Sequence, residues 1–372
     1  MPIDMSFTDE HEELRSTLRS FLSECSDEAT IRELMSSDLG YDPKVWTQMA
    51  EQMGLAGLII PEQHGGAGYG YVELLVVMEE MGRALLCAPF LGTAVFAANT
   101  LMHCTNETTQ KELLAEIAAG RLIASVAHAE PNGRWGLESL EMAASRSGNE
   151  WSLTGTKSWV LDGNAAGTLL VAARTEEGLS FFRVDPSASG TRLETVPPLD
   201  LTRKLAHVHF EQTPAELVSE GDQSSAFERV LALTTSALAA EQVGGTQWCL
   251  DASVDYAKTR LQFGRPIGSY QAIKHKCADI LVETEFARSA AYAACFAAAE
   301  NEADFLETAA LAKATCSEAY VHAAGEAIQI HGGMGFTWEL PVHLYFKRAK
   351  ASDLLFGDAA HHRERLADMV GI

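Results

Sequence analysis

The period of apolar positions changes twice along the chain. Between Ser6 and about Gly120 it is helical, with Phe7, Leu14, Leu18, Phe21 and Leu22 falling largely on one face. Thr8-Asp9-Glu10-His11-Glu12 supplies an N-cap and an acidic first turn for that face. A glycine-rich loop, Pro61-Glu62-Gln63-His64-Gly65-Gly66-Ala67-Gly68, then breaks the helical pattern. From roughly Leu122 to Phe210 the period shortens to alternating runs such as Trp151-Ser152-Leu153-Thr154-Gly155 and Ala206-His207-Val208-His209-Phe210. The turn signals Asn132-Gly133, Asp162-Gly163 and Asp185-Pro186 separate these runs, as in an antiparallel sheet or barrel. Alanine-rich helical spacing returns from Ser225 to about Ala367, in segments 227–259, 270–301 and 303–330 that carry few breakers and suit a helical bundle. The expected fold class is α+β, with an N-terminal helical domain at 1–120, a middle antiparallel β domain at 121–224 and a C-terminal helical bundle at 225–372.

Composition narrows the function classes. The length of 372 residues suits two or three domains, and 47% apolar with 21% charged residues excludes a disordered chain. A net charge of -23 argues against nucleic acid or an anionic membrane as partner, because both demand basic patches. The seven cysteines are scattered without a CxxC pair, so they read as small core residues in a reducing compartment, not as disulfides or a metal site. The N-terminal stretch is acidic and has no signal-peptide pattern, and no run approaches the ~20 apolar residues of a membrane span. A cytoplasmic protein is expected.

Two turns carry the candidate chemistry. Arg260-Leu261-Gln262-Phe263-Gly264-Arg265-Pro266-Ile267 ends one long helix and leads through Tyr270-Gln271 into the next. A guanidinium there can hold a diphosphate bidentately, while Gly264 lets the backbone approach it. Gln329-Ile330-His331-Gly332-Gly333-Met334-Gly335-Phe336-Thr337 is a glycine turn whose backbone N–H groups can form an anion nest. An ordinary loop or a helix C-cap accounts for either turn alone, but less readily for both together.

At these positions the sequence resembles the acyl-CoA dehydrogenase family. Residues 256–267 are similar to its Y-x-x-x-R-x-x-F-G-x-P-I signature, and residues 329–336 to its Q-x-x-G-G-x-G-[FY] signature. Pro61-Glu62-Gln63-His64-Gly65-Gly66-Ala67-Gly68, Ala129-Glu130-Pro131 and Gly155-Thr156-Lys157-Ser158-Trp159 resemble, in the same order, its PE-x-x-GGAG loop, TEP turn and G-x-K-x-W-I strand. The resemblance covers essentially the whole chain. It implies a helical, then β, then four-helix-bundle architecture that binds FAD, with a base removing the α-proton of an acyl-CoA thioester while the flavin takes the β-hydride. It also implies that the arginine and glycine turns grip the adenine and diphosphate half of a neighbouring subunit's FAD. The cofactor-binding set is then Arg260, Phe263, Gln271, Gln329, His331, Gly332, Gly333 and Met334.

Departures from the family pattern cluster on the ring and substrate side. Leu355-Phe356-Gly357-Asp358 matches the family's Y-E-G-T segment, which puts Phe356 where the glutamate base belongs. Ala129 replaces the TEP threonine, Leu161 replaces the hydroxyl residue of the WIT strand, and Asn132-Gly133-Arg134-Trp135 replaces the glycine-serine pair after TEP. Thr234 occupies the position at which other members carry the base, and Glu241 follows seven residues later on nearly the same helical face. A carboxylate in the run Ala237-Leu238-Ala239-Ala240-Glu241 has the setting for burial and a raised pKa; the alternative is a helix-surface or interface glutamate.

The leading expectation is one subunit of an α2β2 acyl-CoA dehydrogenase that gives its diphosphate half-site to a homologous partner, as in family members acting on steroid side-chain thioesters. The acceptor implied by the family is an electron-transfer flavoprotein. A self-sufficient homotetramer using Glu241, and a non-catalytic FAD or CoA scaffold, are the alternatives. His361-His362-Arg363 is read as a solvated helix end whose charges favour its dipole, and Trp135 and Trp338 as ligand-stacking or interface aromatics.

Overall fold

The computed structural model describes residues 6–372. Six helices come first: α1 Asp9–Cys25, α2 Glu28–Ser36, α3 Pro43–Thr47, α4 Tyr71–Arg83, α5 Ala98–Cys104 and α6 Glu107–Ala118. Seven strands follow: β1 Ala124–Ala127, β2 Ala144–Ser147, β3 Glu150–Leu161, β4 Thr168–Thr175, β5 Gly178–Val184, β6 Thr191–Val196 and β7 Leu205–Leu217. Helix α7 Ser224–Thr259, the short strands β8 Leu261–Gln262 and β9 Arg265–Pro266, and helices α8 Gln271–Glu300, α9 Phe305–His331, α10 Val342–Leu354 and α11 Ala359–Val370 complete the chain. The three long alanine-rich patterns of the sequence thus become α7, α8 and α9, and the alternating runs become the sheet.

The chain packs as two compact units, one made of residues 1–31, 71–86 and 235–372 and the other of residues 32–70 and 87–234. The second unit holds the sheet, ordered β1-β4-β5-β7-β3-β2 with β6 also on β7. Every pairing is antiparallel except β1 with β4, which is parallel, a departure from the purely antiparallel expectation. Leu153, Val160, Val171, Phe182, Val208 and Phe210 form part of its core. Their alternation along each strand is what the period-2 pattern encodes.

The first unit is helical. Ala239, Val243, Ala287, Ala291, Ala294, Ala312, Cys316 and Ala319 form a small-residue core between α7, α8 and α9. Where α4 crosses α7 the approach is closer still. A Cβ on Gly244 would lie 1.8 Å from the Glu79 carbonyl oxygen, and one on Gly82 would lie 1.9 Å from that of Glu241. Helix α11 joins the bundle as a fifth helix packed on α9. None of the seven cysteines forms a disulfide and five are buried, and no helix of the described residues is long and apolar enough to cross a membrane.

Candidate functional site

The structure brings the two turns of the first unit together. The last turn of α7 puts the Tyr256 ring on the His331 ring at 4.2 Å between centroids, and the Tyr256 hydroxyl lies 4.0 Å from Met334 Sδ. His331 caps its own helix, its Nδ1 lying 2.7 Å from the Ala327 carbonyl oxygen, and burial lowers its pKa. The ring is therefore a neutral platform. Beyond it, a Cβ on Gly332, at φ +61, or on Gly333 would meet open space, whereas Gly335 is buried against Ile328 and His331.

Strands β8 and β9 form a two-residue hairpin with Phe263 at φ +53 and Gly264 at φ +79. Two positive φ values define the tight turn that matches strand twist. Phe263 stands 92% exposed at the tip. Arg265 covers the Tyr270 ring at 4.0 Å, and the Tyr270 hydroxyl donates to the Gln262 carbonyl at 3.2 Å, so the hairpin is fastened to the start of α8. Gln271, exposed, opens α8 with its amide nitrogen 3.3 Å from His275 Nε2. Arg260 and Gln329 are exposed as well, and the Arg260 guanidinium makes no ion pair among the described residues. An exposed cation, two open glycines and an exposed aromatic thus lie on one helical unit, a set of groups whose chemistry suits a diphosphate-bearing molecule.

In the second unit a bulge links the two segments expected on the ring side. Ser158 and Trp159 oppose a single residue of β7, between the pairs Lys157 with Val208 and Val160 with Ala206. The bulge releases the Ser158 N–H from the ladder, and it donates instead to the Ala129 carbonyl at 2.8 Å. Lys157, fully buried, donates to Glu130 at 2.7 Å and to the His128 carbonyl at 3.1 Å. The Glu130 carboxylate accepts in turn from the backbone N–H groups of Glu141 and Met142. Burial draws the Lys157 pKa down to about 8 against the pull of Glu130. For Glu130 burial acts upward, but Lys157 and the backbone donors outweigh it and the pKa falls. The pair is structural: it holds Ala129 beside the bulge, and neither Ala129 nor Leu161 offers a hydroxyl there.

Two further positions concern the base. Glu241 is buried, as one of the two sequence alternatives has it, but it is not free. Arg348 of α10, itself 3% exposed, donates to it at 3.0 Å. The carboxylate is thus engaged in a buried ion pair with a guanidinium. The sequence signal missed was Arg348, an arginine at a core-facing position of its helix. Phe356 sits at φ +60, followed by Gly357 at φ +105. A phenylalanine in that region is strained by about 1–3 kcal/mol, so the surrounding contacts must hold it.

Those contacts come from Lys313 and His362. Lys313, with no exposed surface, donates to the Asp353 carbonyl, the Gly357 carbonyl and Ser317 Oγ, each at 2.9 Å. Burial holds its pKa down to about 8. His362 Nε2 lies 3.0 Å from the Phe356 carbonyl oxygen, and burial together with the nearby Lys313 charge brings this imidazole to about 3. It is neutral and donates through Nε2. The run 361–363 is therefore not a solvated helix end: it lies in the first turn of α11, where Asp358 accepts from the His361 N–H and His362 points into the core. Lys313 lies on the buried stripe of α9 with Ala309, Ala312, Cys316 and Ala319. A lysine inside an alanine stripe was the available signal.

Comparison with known proteins follows the same lines. Models of the acyl-CoA dehydrogenase N-terminal, middle and C-terminal domains match residues 8–121, 125–213 and 225–371. The chain is 34% identical to acyl-CoA dehydrogenase IpdE2 of Mycolicibacterium smegmatis over 359 residues, 96% of this chain and 98% of that protein. Among solved structures it is similar to a variant of the Tcur3481-Tcur3483 steroid ACAD, with a TM-score of 0.88 and 30% identity, covering 98% of both chains. It is also similar to the ChsE4-ChsE5 complex from Mycobacterium tuberculosis, with a TM-score of 0.90 and 27% identity over 99% of both chains.

Proposed function

This chain belongs to the acyl-CoA dehydrogenase family, oxidoreductases acting on acyl-CoA, and we propose that it works as one subunit of a heterotetramer with a homologous partner. Its Arg260, Phe263, Gln271 and the turn at 329–334 grip the adenine and diphosphate half of the FAD whose ring lies in the partner. When bound, that flavin accepts the β-hydride of the thioester. This chain's share is to bind and orient. Arg260 would supply a cation to the diphosphate, the open backbone of Gly332 and Gly333 would face it, and the Tyr256–His331 stack joins the end of the helix before the arginine turn to the start of the glycine turn. The observation that supports the reading is the contrast between the exposed arginine and glycine turns and the lack of a carboxylate at position 356, where the family's base is expected. Phe356 has no basic atom, and Glu241 is committed to Arg348.

The similarity to a steroid ACAD and to a two-component complex supports a bulky acyl group and an unlike partner. An electron-transfer flavoprotein is the acceptor that suits this chemistry, and the cytoplasm its place. The deciding experiment is the flavin-to-chain ratio of the protein purified alone and with a co-expressed homologue. About one FAD per two chains, and only with the partner, is the expected result. One FAD per chain in the protein alone, bleached by an acyl-CoA, would overturn the proposal in favour of a self-sufficient enzyme. Flavin without bleaching in either preparation would instead indicate a scaffold.

A further inference from the structure

The arginine hairpin stands clear of the core of its unit. Every residue from Lys258 to Pro266 is exposed, Leu261 at 61% and Phe263 at 92%. A ladder of two residue pairs is marginal by itself in water, and Phe263 at φ +53 adds a backbone conformation that bulky side chains rarely adopt. Tyr270 reaches all three parts of this hairpin. Its hydroxyl donates to the Gln262 carbonyl on β8, its ring meets the Phe263 ring edge to face at 6.5 Å between centroids, and the Arg265 guanidinium of β9 lies over it at 4.0 Å. Tyr270 is itself held. Its N–H donates to the Ile267 carbonyl at 3.0 Å, while the Ile267 N–H donates to the Arg260 carbonyl at 2.8 Å and closes the base of the hairpin. Gly268 packs against the end of α7, where a Cβ would lie 2.8 Å from the Ala257 carbonyl oxygen. The two arginines are therefore not equivalent. Arg265 is engaged with the Tyr270 ring, whereas Arg260 is exposed and makes no ion pair among the described residues.

We propose that Tyr270 is a positioning residue that aims the hairpin at the cofactor, so that Arg260 meets the diphosphate while Arg265 serves the hairpin itself. The inference rests on the reading that this turn grips the diphosphate half of FAD. A guanidinium at the root of an exposed hairpin delivers its charge to one place when the backbone beneath it has one direction, and a misplacement of about 1 Å is enough to weaken such a contact. Tyr270 supplies that direction. It also directly precedes Gln271, the next side chain assigned to the cofactor, so one residue sets how Arg260 and Gln271 stand to each other.

The test uses the full chain, flavin-loaded and co-expressed with its homologous partner, in variants Tyr270→Leu, Tyr270→Phe, Arg265→Gln and Arg260→Ala and in the double variant of Tyr270→Leu with Arg260→Ala. FAD release is followed by the rise of flavin fluorescence, and hydrogen exchange at residues 260–266 reports the hairpin. Tyr270→Leu is expected to speed FAD release roughly tenfold and hairpin exchange with it, while Tyr270→Phe, which keeps the ring, should stay within about threefold. Arg265→Gln should quicken exchange as well, and release FAD less than Arg260→Ala does. In the double variant the Tyr270 change should add less than about twofold to the release caused by Arg260→Ala, because a residue acting through Arg260 then has nothing left to position. Full additivity would overturn the positioning role, since Tyr270 would be acting on FAD or on stability by another route. An Arg260→Ala variant that loses flavin beside a Tyr270→Leu variant that keeps it would overturn it too, and leave the cofactor reading standing. If both keep their flavin, the turn does not grip the cofactor and both readings fall. Should Tyr270→Leu fail to fold, Arg265→Gln decides by the same double-variant comparison, because it removes the guanidinium and leaves the ring.

Discussion

Arg260 and His362 show how differently two side chains carry information. Arg260 is exposed with no ion pair among the described residues, so replacing it should leave folding intact and act on the cofactor alone. Arg260→Ala is expected to weaken FAD retention by roughly 10- to 100-fold, the size of one lost charge-assisted contact, measured by flavin release from the purified complex. Unchanged flavin content would remove the arginine turn from the site. His362 is the opposite case, buried and neutral with a pKa near 3. Below about pH 6 the unfolded chain protonates this imidazole while the folded chain does not, so acid favours unfolding. The loss is about 1.4 kcal/mol per pH unit down to about pH 3. His362→Asn should flatten the fall of melting temperature between pH 6 and 4, and an equally steep fall would show that other groups dominate.

Glu241 belongs to the same scale, because its meaning changes with one neighbour. The sequence permits a buried carboxylate, but Arg348 lies 107 positions away and no local pattern joins them. With the pair intact, Glu241→Gln leaves a buried guanidinium without its counter-charge and should cost about 3–5 kcal/mol of stability. Turnover per folded, flavin-loaded molecule should stay within about twofold, since each lost tenfold would need about 1.4 kcal/mol of transition-state stabilisation. A large fall in turnover with unchanged stability would restore Glu241 as the base.

Helices and strands respond to features the pattern alone leaves equivalent. Gly244 and Gly325 are both helical glycines, yet a Cβ on Gly244 would meet the Glu79 carbonyl at 1.8 Å and the Arg83 nitrogen at 2.8 Å, whereas one on Gly325 would lie 3.9 Å from Phe346. Gly325→Ala should be neutral or stabilising by up to about 1 kcal/mol through helix propensity. Gly244→Ala must push α4 from α7 and should destabilise by several kcal/mol, as overpacking of a tight contact does. Paired thermal melts decide this, and equal melting temperatures would contradict the close crossing. The bulge of β3 is a second such feature. Alternation predicts the strand, but not that Ser158 leaves the ladder for Ala129, because the extra residue answers to the Lys157–Glu130 pair brought in from another segment.

For the whole molecule, the order helical, β, helical was open to reading because periods of 3.6 and 2 are written into each segment by its own apolar residues. The regrouping of residues 71–86 with 235–372 was not, since contacts between distant segments leave no periodic trace. The same division runs through the site. Both glycine turns, the arginine and the loss of a basic atom at Phe356 follow from residue identity, since a glycine, a guanidinium or a phenyl ring keeps its chemistry wherever the chain takes it. Which groups stand beside them does not follow. The Tyr256–His331 stack, the Arg348 that claims Glu241 and the Lys313 beneath Phe356 are meetings across tens to hundreds of positions. Burial sets their energetics, because a charge is costly or useful only once folding has chosen its neighbours and removed its water.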